Sequence, residues 1–117
     1  MVVYIGAQDK ADRLFHALAD ATRRDIVTRC LHDEHSVSAL ARAYPMSFAA
    51  VQKHVAVLED AGLVTKRRHG REQLVHGNVE AVRDVHSLLA QLEAVWRGRI
   101  DRFGEVLADD PGEGVDP

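Results

Sequence analysis

Apolar residues recur at steps of three and four through most of the chain, the period of helices that bury one face. Leu14, Phe15 and Leu18 predict a first helix, from a cap at Asp9 to Ala19. Asp20 is the expected cap of a second, with Ile26, Val27, Cys30 and Leu31 on its apolar side and Arg23, Arg24 and Arg29 in solvent. The polar run from His32 to His35 ends it. An extended piece from His35 to Val37 leads to Ser38, the expected cap of a third helix carrying Leu40 and Ala41. Pro45 stops that helix, because the residue before a proline is pushed out of the helical region.

Ser47 opens the next helix and Gly62 closes it, glycine being the residue that most easily takes the left-handed exit. At 100° per residue, Val51, Val55, Leu58 and Ala61 share one face, while Ala49, Lys53, Ala56 and Asp60 share the opposite one. One side packs; the other is free to touch something. The pattern then changes to two short segments, LVTKRRH and EQLVH, around Gly70-Arg71, which predicts a two-stranded hairpin. From a cap at Asn78, a last helix runs to about Leu107, with Val82, Val85, Leu89, Leu92, Trp96, Phe103 and Val106 in a seam broken at Arg99. Thirty residues make about 45 Å of helix, more than a domain of this size covers by itself. Part of the stripe asks for a partner. The acidic, Gly- and Pro-rich ending is expected to be disordered, which gives one mainly α domain over residues 1–107 and a tail over 108–117.

Composition agrees with this layout. Length allows one domain, 16 alanines against three prolines favour helix, and a core of this size needs no metal, cofactor or disulfide to stay folded. A single cysteine suits a reducing compartment, and no apolar run approaches the length that spans a bilayer, so a soluble cytoplasmic protein without membrane contact is expected. Net charge is −3, which taken alone disfavours a nucleic-acid binder. Five of the 18 acids fall in the last thirteen positions, however, leaving residues 1–104 with 15 bases against 13 acids. The acidity belongs largely to the tail.

The two helices flanking the YPMS turn, followed by a basic hairpin, match a helix-turn-helix with a wing. In such a unit the second helix enters the major groove and the hairpin lies along the backbone. Ser47, Ala49, Ala50, Gln52 and Lys53 are the candidate groove residues: the alanines permit close approach, Gln52 suits adenine, and Lys53 reaches guanine or phosphate. Lys66, Arg67, Arg68 and Arg71, four cations within six positions, are candidate phosphate contacts. His54 borders the buried face, where a phosphate contact and a structural bond between helices are both open. No nucleophile elbow, phosphate-cradling loop or complete metal-hydrolase motif is present, so nothing points to an enzyme.

The strings LFHALADATRRDIV, SVSALARAYPMSFAAVQKHVAVLEDAGLV and TKRRHGREQLV resemble the ArsR/SmtB family of bacterial winged-helix transcriptional regulators, over roughly residues 13–106. The resemblance implies a homodimer held by the first and last helices that binds double-stranded DNA at an imperfect promoter palindrome and usually represses. Leu14, Leu18, Val85, Leu89, Leu92, Trp96 and Phe103 would form its interface. The metal-sensing motifs of the family are incomplete. The helix before the turn has no cysteine, and Asp84 and His86 match half of a last-helix site whose remaining positions are Arg97 and Ile100. No metal site is therefore expected. The alternative is a metal- or ligand-responsive sensor with a non-standard effector site, for instance a cavity between the paired helices that holds an unidentified small molecule. The His32-to-His35 run is read as a solvated loop and Cys30 as core.

Overall fold

A computed structural model describes the backbone of residues 2–108 and the side chains from Gln8 onward. Its elements run α1 (Val2–Leu18), α2 (Ala21–His32), β1 (His35–Ser36), α3 (Val37–Arg42), α4 (Phe48–Asp60), β2 (Val64–His69), β3 (Glu72–Gly77) and α5 (Val79–Ala108). The chain divides into two units, Met1–Val85 and His86–Pro117, so that α5 contributes to both. The expected tail, apart from Ala108, lies outside the described residues.

In the first unit the helix starts follow local chemistry. Asp20 Oδ2 accepts from the Arg23 backbone N–H at 3.0 Å, and Ser47 Oγ accepts from that of Ala50 at 3.1 Å, each satisfying a donor that the first turn leaves without a helical partner. Gly62 leaves α4 at φ +81 and Gly70 turns the hairpin at φ +64, both in the region that favours glycine. Asn78 joins three segments. Its side-chain amide donates to Gly62 O at 2.8 Å, its Oδ1 accepts from Glu80 N at 3.1 Å, and its own N–H donates to Leu63 O at 2.9 Å.

Three boundaries differ from the sequence reading. Helix α1 begins upstream of Asp9, which sits inside it and pairs with Arg13 one turn later at 2.9 Å. Ser36, not Ser38, caps α3, its Oγ accepting from Ala39 N at 3.0 Å. The reason is tertiary: Ser36 pairs with Leu74 in the sheet, which holds it extended, and Ser38 falls inside the helix. That helix also ends at Arg42, three residues ahead of Pro45.

The sheet has three strands in the order β1-β3-β2, all antiparallel. The extra strand arises because His35 and Ser36 pair with Val75 and Leu74 beside the expected hairpin. Beneath it lies the core, drawn from Leu14 and Ala17 of α1, Ile26, Val27 and Cys30 of α2, Leu40 of α3, the Val51-Val55-Leu58 face of α4, and Leu63, Val64 and Val75. Each fully buried aliphatic side chain of this kind stabilises the fold by about 1.5–3 kcal/mol. Burial pushes the Cys30 thiol up to about 11, so it is a core group and not a reactive thiolate at neutral pH. Leu14 is only 1% exposed and belongs to this core, so its side chain is not available to a partner, contrary to the interface role expected of it. Leu18 and Val85 are partly buried against the same core. Leu31, expected on the apolar side of α2, is instead exposed and crosses Gly77, where an added Cβ would lie 2.8 Å from the Leu31 backbone and side chain.

In the second unit α5 continues as a helix to Ala108. Leu89, Leu92, Trp96, Ile100, Phe103 and Val106 are all exposed on it. The Arg99 guanidinium stands 5.8 Å from the centre of the Trp96 ring, and Arg97 pairs with Glu93 at 3.1 Å. Among the described residues no helix is long and apolar enough to cross a membrane.

Candidate nucleic-acid interface

Helix α4 has two unlike faces. Val51, Val55 and Leu58 are sealed in the core, whereas Ser47, Phe48, Ala49, Gln52, Lys53 and Ala56 are exposed and Ala50 is half-buried. Ser47 is also the cap that starts the helix. Phe48 is absent from the sequence reading. It is 46% exposed at the first helical position and lines a cavity of about 260 Å³ together with Gln52, Lys66, Arg71 and Gln73. The available signal was an aromatic residue directly after a cap, on a helix whose apolar face was already complete without it.

The hairpin stands beside α4. Arg68 and Arg71 are exposed, and among the described residues neither forms an ion pair within 4.0 Å. The other two expected phosphate contacts are engaged. Lys66 Nζ lies 3.2 Å from Glu59 Oε1 of α4. Arg67 makes a two-pronged pair with Glu34, Nε to Oε2 at 3.0 Å and Nη2 to Oε1 at 2.9 Å. Glu34 lies in the run read as a solvated loop; it follows α2 and precedes β1. That run is therefore part of the fold, with His35 in β1 and its Nδ1 2.9 Å from Asp33 O.

A helix with one bare polar face, set behind a turn and beside a basic hairpin, is the arrangement of DNA-binding regulators, and comparison with known proteins gives the same result. Residues 18–67 match the family described as a helix-turn-helix domain. Over 96 residues the chain is 33% identical to the HTH-type transcriptional regulator Rv2034 of Mycobacterium tuberculosis, covering 82% of this chain and 87% of that protein. The crystal structure of an ArsR family transcriptional regulator, RHA00566, superposes with a TM-score of 0.73 at 30% identity over 77% of this chain and 93% of that one. An ArsR-like transcriptional regulator from Rhodococcus sp. RHA1 gives a TM-score of 0.77 at 28% identity over 87% and 96% of the two chains. The chain belongs to the ArsR family of transcriptional regulators.

Within this ArsR fold, two polar clusters hold the helix-turn-helix in place. The first surrounds His54. Arg23 Nε and Nη2 donate to Ala17 O and His16 O at 2.8 and 3.1 Å, gathering carbonyls at the end of α1, while its Nη1 donates to His54 Nδ1 at 3.2 Å. Asp20 Oδ2 stands 3.9 Å from the same nitrogen. His54 thus ties α4 to the start of α2, which accounts for the side chain without a phosphate contact. Arg23 is half-buried and bonded, not left in solvent as its helical position suggests. The Arg23 backbone N–H, helped by the nearby Arg23 guanidinium, keeps the Asp20 carboxyl below its ordinary range.

The second cluster anchors the turn. The Tyr44 hydroxyl donates to Asp25 Oδ2 at 2.5 Å, Arg29 Nε donates to the same oxygen at 2.7 Å, and the Arg29 guanidinium lies 5.4 Å from the Tyr44 ring centre. The Tyr44 bond, followed by that of Arg29, lowers the Asp25 carboxyl. Burial, reinforced by Asp25, pushes the Tyr44 phenol up to about 12. Each cluster consists of donors and acceptors that satisfy one another. Among the described residues no group of three His, Cys, Asp or Glu side chains is placed to hold a metal ion, and Asp84 is 3.2 Å from Lys10.

Proposed function

We propose that the chain is a sequence-specific DNA-binding regulator that acts as a homodimeric repressor on a palindromic promoter site in the cytoplasm. The observation that carries this reading is α4, whose apolar face is fully committed to the core while Ser47, Phe48, Ala49, Gln52 and Lys53 stay bare beside the wing. In the groove, Gln52 pairs with adenine, Lys53 reaches guanine or phosphate, and the Phe48 ring meets a thymine methyl. Arg68 and Arg71 hold the backbone and set the register without reading sequence. The exposed apolar row on α5, from Leu89 to Val106, is the surface for a second copy. A similar protein from Mycobacterium bovis is described as a homodimeric winged helix-turn-helix DNA-binding domain, with a TM-score of 0.60 at 28% identity over 83% of this chain and 87% of that one. Two-fold symmetry then presents two copies of α4 to successive major grooves about 34 Å apart.

Selection of bound duplexes from a random pool tests this reading. An inverted repeat with half-sites one helical turn apart is expected, and Gln52→Ala should relax preference at one position per half-site, at a loss of about 1–3 kcal/mol. A pool with no enriched sequence overturns it. Transcription from a promoter carrying the selected site should rise when the gene is deleted; a fall would replace repression by activation.

A further inference from the structure

The wing carries four cations in sequence but does not present four to a ligand. Arg67 is held by Glu34 through two parallel N–H···O contacts of 3.0 and 2.9 Å, the fork geometry by which guanidinium groups also grip phosphate. Strand alternation puts Arg67 on the same sheet face as Leu74, its partner across the β2–β3 ladder, and Thr65 and His76 line the same small cavity as the Glu34–Arg67 pair. Lys66, one residue earlier, projects from the other face and meets Glu59 of α4. The carboxylates come from the connection after α2 and from α4, 33 and 7 positions distant from their cations, so neither pair is a by-product of helical spacing.

We infer that Glu34 is a built-in competitor for DNA phosphate. Its carboxylate fills the Arg67 fork as a phosphate would, so each wing offers DNA two cations, Arg68 and Arg71, where its sequence holds four. Glu59 withholds Lys66 in the same way, through a single contact. The inference rests on the proposed DNA binding through α4 and the wing. The physical consequence concerns sequence-independent affinity, which arises from counterions released at neutralised phosphates and scales with the number of cations that reach them. An internal carboxylate lowers that number without removing a base contact. The regulator is thereby less firmly held by arbitrary DNA.

The test is the salt dependence of binding to a duplex of scrambled sequence, measured for the full chain and for Glu34→Gln, Arg67→Ala, Arg68→Ala and the Glu34→Gln/Arg67→Ala pair. Glu34→Gln frees Arg67. It should tighten binding severalfold and steepen the slope of log K against log salt by about 0.9 per protomer. Arg67→Ala should leave the slope at its wild-type value, Arg68→Ala should flatten it by about 0.9 per protomer, and the double variant should return to wild type. A wild-type slope for Glu34→Gln overturns the inference, as does flattening by Arg67→Ala equal to that of Arg68→Ala. Weaker binding by Glu34→Gln also overturns it, since Glu34 would then be a brace that positions the wing. If Glu34→Gln does not fold, the contrast between Arg67→Ala and Arg68→Ala decides the matter. Absence of any duplex binding by the wild-type chain at low salt defeats the proposed function itself, whereas wild-type binding with an unchanged Glu34→Gln slope defeats this inference alone.

Discussion

Between Leu14 and Val85 the large aliphatic residues at helical spacing are mostly sealed, with Leu14, Ile26, Leu40, Val51, Val55 and Leu58 all at 1% exposure or less. Between Leu89 and Leu107 every large apolar residue is exposed, Leu92 at 67% and Trp96 at 56%. The residue types and the period are the same in both regions. What differs is the cover: α4 has α2, α3 and β2 packed against it, whereas the stripe on α5 has no such neighbour among the described residues of the second unit. Periodicity identifies an apolar face; it does not identify what meets it.

Substitution can break this contrast. Trp96→Ser combined with Phe103→Ser should weaken self-association by at least about 4 kcal/mol per dimer, on the order of a thousandfold, as read by sedimentation equilibrium. Its circular dichroism spectrum should stay helical. A doubly substituted protein that sediments like the wild type would mean that the stripe meets something else. Leu58→Ala should act in the opposite manner, lowering unfolding free energy by about 2–5 kcal/mol in urea whatever the protein concentration. A concentration-dependent loss would blur the division between core and stripe.

Smaller effects sharpen the picture inside the first unit. Gly77→Ala places a Cβ 2.8 Å from the Leu31 backbone nitrogen, and such overpacking should cost about 1–3 kcal/mol of stability. Ser36→Ala should lower stability by about 1 kcal/mol through loss of the α3 cap, with Ser38→Ala within about half that. Equal losses would return the cap to Ser38. The smallest effect is acid sensitivity. The Asp25 carboxyl is lowered in the native state by Tyr44 and Arg29, so its contribution is present above the ordinary carboxylate value and lost as pH falls through the lowered native one. Asp25→Asn should therefore flatten the stability profile below about pH 4, where the wild type progressively loses the contribution of the pair as the carboxyl protonates.

Local signals in the sequence were enough to find most elements. Asp20, Ser47 and Asn78 announce helix starts because caps act within three residues, and Gly62 and Gly70 mark the turns because their backbone takes positive φ. Features decided by distant partners were not legible. The choice of Ser36 over Ser38 depends on pairing with Leu74, and the third strand exists only because β3 lies beside His35 and Ser36. Arg23 reads as a solvent residue until the α1 carbonyls and His54 stand around it. The candidate interface divides in the same way: the bare face of α4 follows from its period, whereas the engagement of Arg67 needs Glu34 brought up from another part of the chain. Leu14 shows the limit of a helical wheel, which gives core and interface residues the same signature.

The three hydrogen bonds of Asn78 carry a lesson for anyone exchanging parts between relatives. One side chain and its backbone N–H fasten the exit of α4, at Gly62 and Leu63, to the first turn of α5 at Glu80. A chimera spliced at the start of α5 therefore cuts through a joint and not a linker. Grafts that keep Asn78 through Val85 with the donor of α4, and exchange only residues beyond Val85, leave the joint and its core contacts intact.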